Sequence, residues 1–177
     1  MMKWYYVLGI VVVLIIGTGS IYSFQKSKIA YVRSHDLIYA YDGTKEAMTA
    51  FNDKKSQWQA NVDTLRTSFQ RAVDMYNKEY PKLSLQEKQL RETGLQRQQQ
   101  QWESYALAIE QKIEEEDDKM MQAILNQVNS SIKAYGEQNG YDVILGTTTS
   151  GSVLYGRESM DITDELIKVL NRQYQGE

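Results

Sequence analysis

The 177-residue chain contains no cysteine. Disulfides, thiol catalysis, iron–sulfur ligation and lipid attachment through sulfur are therefore excluded. It has one histidine, too few donors for an all-histidine metal site or an imidazole relay. One proline and 11 glycines rule out collagen-like and proline-rich linker architectures. Phenylalanine is scarce at 3, but tyrosine reaches 13. Tyrosine combines a large contact area with a polar tip and suits half-wet surfaces. The loop at 146–151 has glycine and threonine but no Gly-Lys-Ser/Thr, so it is no phosphate cradle. Ser150 and Ser152 have no base or acid at catalytic spacing. The run Glu114 to Asp118 lacks the glycine and alternate spacing of a calcium loop and is expected to be a solvated helix face. No catalytic residue, cofactor or metal is expected. These absences leave a protein that works through shape and surface.

The two ends differ from the middle. Lys3 precedes a run without charge from Trp4 to Phe24, 21 residues, long enough for a helix to span about 30 Å of hydrocarbon. Trp4, Tyr5, Tyr6 and Tyr22 flank it as an aromatic belt would. Its apolar centre, Val7 to Ile16, also has the length of a secretion signal's core, with Gly17, Thr18, Gly19 and Ser20 as small residues before a cleavage site. An anchor and a cleaved signal both remain open, and both export residues 27–177. That part carries 18 basic and 23 acidic residues, net −5.

Ile29 to Val32 reads as a strand, Ser34 as the cap of a short helix from His35, and Asp42–Gly43 as a turn or break. The lone His35 is expected at the surface. Residues 46–139 carry 12 basic and 15 acidic residues and much glutamine. Met48, Phe51, Lys55, Trp58, Val62, Leu65, Phe69, Ala72, Tyr76 and Tyr80 follow one another at spacings of 3 and 4, a heptad seam. Pro81 suits a turn, and Ser84 with Glu87 forms a capping box for a second arm. That arm carries Leu90, Leu95, Trp102, Tyr105, Ile109, Ile113, Met120, Ala123, Ile124, Val128, Ile132 and Tyr135. A turn at Pro81–Lys82 places Phe69 opposite Leu95, Val62 opposite Trp102 and Phe51 near Ile113. From Asn77 to Gln98 there are five basic and three acidic residues, so the tip is mildly positive.

The tail returns to a globular pattern. Gly140 stops the helix, 140–146 and 152–156 read as strands, and Asp161 is the expected cap of a last helix with Leu166, Ile167 and Leu170 as its apolar face. The expected fold class is α+β: a small β-rich oligomerisation body, a long antiparallel coiled-coil hairpin and an N-terminal hydrophobic helix. The expected division is 1–26 anchor or signal, 27–45 first part of the body, 46–139 hairpin with its turn near 81–84, and 140–173 second part of the body. So short a split core calls for other copies of itself. Ile29, Val32, Val143, Leu145, Val153 and Leu154 are the candidate oligomer core.

KIAYV at 28–32, the polar hairpin, NGYDVILG at 139–146, GSVLYG at 151–156 and MDITDELIKVLN at 160–171 together resemble the Skp/OmpH family of periplasmic outer-membrane-protein chaperones. The likeness covers residues 27–173. It implies a homotrimer whose helical tentacles surround a cavity for unfolded outer-membrane proteins, with no ATP, no chemistry and no nucleic acid. Tyr76, Tyr80 and Tyr105 are the candidate client contacts. The best-known members are strongly basic, whereas this chain has a pI near 5.3. That weakens the case for capturing acidic clients or lipopolysaccharide by charge. An alternative is a structural subunit of an envelope assembly, tethered to the inner membrane by residues 4–24 and bound to another envelope protein.

Overall fold

The computed structural model describes residues 27–148, 151 and 153–176. The expected anchor or signal at 1–26, including the N-terminal hydrophobic helix, lies outside the described residues. Among the described residues no helix is long and apolar enough to cross a membrane. The order of elements is β1 (Ile29–Arg33), α1 (Ser34–Ala40), α2 (Asp42–Glu79), a 3-10 turn (Tyr80–Lys82), α3 (Leu85–Asn139), β2 (Val143–Thr147), a second 3-10 turn (Glu158–Met160) and α4 (Thr163–Gln175).

Two helices dominate. α2 has 38 residues and α3 has 55, about 57 and 82 Å at 1.5 Å per residue. They pack antiparallel as a hairpin. The capping box forms as expected: Ser84 Oγ accepts from the Glu87 N–H, and the Glu87 carboxylate accepts from the Ser84 N–H. At the other end of α3, Gly140 adopts the left-handed conformation (φ 67°), which glycine enters without a Cβ penalty. α1 and α2 are separated by Tyr41, whose backbone is extended. Its ring lies over Gly43, where an added Cβ would stand 2.5 Å from the ring. No larger residue fits there without moving Tyr41.

The hairpin register differs from the expected one. The Phe69 ring faces Trp102, centroids 6.5 Å apart, not Leu95. Val62 shares a groove with Ala106, Ile109 and Ile113, not Trp102. The arms have slid by one heptad, because Tyr80–Ser84 and the first turns of α3 all serve the tip. Glu79 at the end of α2 pairs with Arg91 at 3.0 Å, so α3 overhangs α2 by its first six residues.

The core lies at the base. Ala30, Val32, Leu37, Tyr41, Ile124, Val128, Ile162, Leu166 and Leu170 are buried together, and Met120, Ile132 and Tyr135 pack against them. The last five turns of α3 therefore belong to this core. β1 and β2 pair in parallel, Ile29 beside Val143 and Tyr31 beside Leu145. Alternation sends Ala30 and Val32 inward and leaves Ile29, Val143 and Leu145 on the outer face. Arg33 ties the strand end to two helices: it donates to Asp36 at 2.6 Å, Asp161 at 3.0 Å and Asp164 at 3.2 Å.

Three further expectations change. The expected strand at 152–156 is absent among the described residues there. Val153 is half-buried and Leu154 is 93% exposed at a bend, so among the described residues the body holds two strands and is mainly helical. Ser34 is the first residue of α1, not its cap; Arg33 holds that position without a side-chain bond. Asp161 caps α4 from one residue further out, accepting the Thr163 N–H at 2.9 Å while Ile162 occupies the cap position.

Candidate functional site: the hairpin tip and its grooves

Lys78, Lys82, Lys88 and Arg91 lie around the turn between α2 and α3, and large apolar residues beside it stand mostly exposed. Leu85 is 76% exposed, Leu90 75% and Met75 57%. Leu85 sits in the first turn of α3, beyond the end of α2. Leu90, expected in the seam, lies on the same overhang. Below them a groove of about 320 Å³ opens between Ala72, Met75, Tyr76, Leu90, Gly94 and Leu95. A Cβ built on Gly94 meets nothing within 4 Å, so glycine leaves this groove open.

Two of the three candidate tyrosines meet here. The Tyr76 hydroxyl donates to Glu92 Oε1 at 2.5 Å. That bond, which phenolate formation would break, pushes the Tyr76 hydroxyl up to about 12. Tyr80 meets Tyr76 edge to face at 5.5 Å, and Lys88 Nζ stands 3.9 Å over the Tyr80 ring. Both tyrosines thus knit the tip together while offering part of their rings to solvent. Tyr105 is not part of this cluster. It lies half-buried 20 residues into α3, about 30 Å from the start of the helix.

Of the six candidate oligomer-core residues, the structure places Ile29, Val143 and Leu145 side by side on the outer sheet face, each about two-fifths exposed. Val32 is 2% exposed and fills the chain's own core instead. Val153 and Leu154 lie outside the sheet. Met75, Leu85 and Gly94 are the tip residues that sequence reasoning did not assign. Their signal was positional: Leu85 falls off the seam spacing directly after the capping serine, and Met75 stands one position before a seam tyrosine.

Among the described residues no group of three or more His, Asp or Glu is placed to hold a metal ion. The titratable cluster at Arg33 is structural. Burial alone would raise the Asp161 carboxyl, but the Thr163 hydroxyl and N–H and the Arg33 guanidinium outweigh it and hold Asp161 below its ordinary value.

The architecture is a long helical hairpin rooted in a small body, open and apolar at its tip. Over residues 28–170 the chain matches the family described as outer membrane protein (OmpH-like). It belongs to that family. Its fold is similar to a crystal structure of a proposed outer membrane chaperone (OmpH-like) from Caulobacter crescentus CB15. The TM-score is 0.75 and the identity 15%, over 85% of this chain and 87% of that one. No curated protein matches the chain in sequence.

Proposed function

We propose that the chain is an ATP-independent holdase of the periplasm. Three copies enclose a cavity in which unfolded outer-membrane proteins are kept from aggregating. The observation that carries this reading is the apolar tip: Leu85 and Leu90 are three-quarters exposed at the end of a hairpin that rises about 50 Å above the core. Singly exposed apolar side chains are ordinary, but several gathered beside an apolar groove, as Leu85, Leu90 and Met75 are here, mark a surface for contact with another molecule. Membership of the OmpH-like family and the fold shared with the Caulobacter protein support a chaperone-type role. The outer sheet face of Ile29, Val143 and Leu145 supports self-association through the body.

The test is dilution of a urea-unfolded outer-membrane β-barrel into buffer containing the protein. Aggregation should be suppressed without ATP and should saturate near one client per trimer. Unchanged aggregation at several-fold excess, at both low and high salt, rejects the reading.

The uncharged run from Trp4 to Phe24 favours a second reading, a tethered structural subunit of an envelope assembly. The intact mass of the protein extracted from membranes separates the two. A chain that retains residues 1–26 and co-purifies with one stoichiometric envelope partner supports the subunit.

A further inference from the structure

Between Trp102 and the body, the two flanks of the hairpin seam are unlike. On one flank Lys112 Nζ stands 4.6 Å over the Trp58 ring and Lys54 Nζ reaches Glu116 at 3.9 Å. These long side chains close that side. On the other flank a groove of about 470 Å³ opens over Val62, Ile109 and Ile113. A second, of about 460 Å³, continues it over Phe51, Ile113 and Met120. The two share Lys55, Glu110 and Ile113, so they form one trough. From Met48 to Val62 it runs about 20 Å along α2, the span of six extended residues at about 3.3 Å each.

The floor of the trough is the apolar seam. Its rim carries Asp63, Glu110, Glu114 and Asp117, all exposed. Among the described residues these four carboxylates make no ion pair and no side-chain hydrogen bond, although Glu115 and Glu116 on the same helix pair with Lys119. Four carboxylates face one lysine, Lys55.

We propose that this trough receives an extended segment of about six residues in which apolar side chains alternate with lysine or arginine. In an extended chain, side chains of one parity meet the floor. Basic side chains of the other parity reach the rim carboxylates on their flexible stems. Membrane-spanning β-strands alternate apolar and polar residues in this way, so an unfolded barrel supplies such segments. The inference rests on the holdase reading only for the source of the segment. It implies that this chain selects clients by positive charge.

The test uses the full chain in mild detergent and two fluorescein-labelled octapeptides, one alternating lysine with valine and one alternating glutamate with valine, read by anisotropy. The lysine peptide should bind at least tenfold more tightly. The triple variant Glu110→Gln, Glu114→Gln, Asp117→Asn should weaken it about tenfold, the expectation for losing three exposed charge pairs. Circular dichroism should show unchanged helix content in that variant. A photocrosslinking residue at Gln59, on the open flank, should capture the lysine peptide, and one at Lys54, on the closed flank, should not. Equal affinity for both peptides, an unaffected triple variant, or equal capture on both flanks overturns the proposal. If the native chain binds the lysine peptide through the trough but leaves barrel aggregation unchanged, the holdase reading falls and the trough stands. If aggregation is suppressed equally by native and triple variant and no peptide binds, the trough falls alone.

Discussion

Thr44 shows how a single atom sets a local balance. Its side chain is fully buried, and its hydroxyl has no hydrogen-bond partner among the described residues. An unpaired buried hydroxyl costs about 1–3 kcal/mol. Thr44→Val keeps the shape and removes the hydroxyl, so it should raise stability by about 1 kcal/mol, read from the urea midpoint. Leu166, at 0% exposure in the centre of the core, should respond in the opposite sense. Leu166→Ala should cost about 2–5 kcal/mol by leaving a cavity. Asp161 makes stability depend on pH. Its carboxyl is held below its ordinary value in the folded chain. The stability it contributes is therefore present above the unfolded value of about 4 and is lost as pH falls through the folded one. Asp161→Asn should flatten the acid limb of the urea-stability profile and lower the plateau at neutral pH. Of these, Leu166 was legible as part of the apolar face of the last helix, whereas the unpaired hydroxyl of Thr44 was not. Asp161 was recognisable as a cap from its place before an apolar helix, but its bond to Arg33 joins residues 128 apart in sequence.

At the scale of elements, the hairpin was legible because its signals are local. The 3-and-4 spacing marks a helical face, Ser84 and Glu87 mark a start, and Gly140 marks a stop. The register was not legible for a physical reason. Heptads repeat, so sliding one arm by seven residues again sets large apolar side chains against each other, and Phe69 meets Trp102 as readily as Leu95. What decides is the length of the turn, and the overhanging start of α3 is set by the Tyr76, Tyr80, Glu92 and Arg91 contacts at the tip. The chain has no native cysteine, so crosslinking tests this cleanly. Phe69→Cys with Trp102→Cys should link within one chain on oxidation, and Phe69→Cys with Leu95→Cys should not. The strand expected at 152–156 fails for a similar reason. Its apolar residues match a strand, but a strand exists only where an edge is available to it. Within the chain, β1 instead meets Asp161 by an isolated bridge through Tyr31.

For the molecule as a whole, the exposed outer sheet face leads to a prediction about mass. Light scattering on the detergent-solubilised full chain should give about three times the chain mass of 20.5 kDa once detergent is subtracted. Val143→Asp with Leu145→Asp should reduce it to one, with helix content retained, because both side chains lie outside the single-chain core. A trimer that survives this double change places self-association elsewhere. The arms also differ in how they join the base, and that difference has a mechanical consequence. α3 runs unbroken from the tip into the core, where Ile124 and Val128 are buried, whereas α2 reaches α1 through the extended residue Tyr41. In engineering terms the hairpin is a cantilever with one flange running deep into the wall and the other seated at its face, where Tyr41 and Thr44 are buried. Under side load the deep flange is the stiffer of the two. A force across the tip is therefore shared unequally between the flanges, and the beam twists about its own axis as it bends.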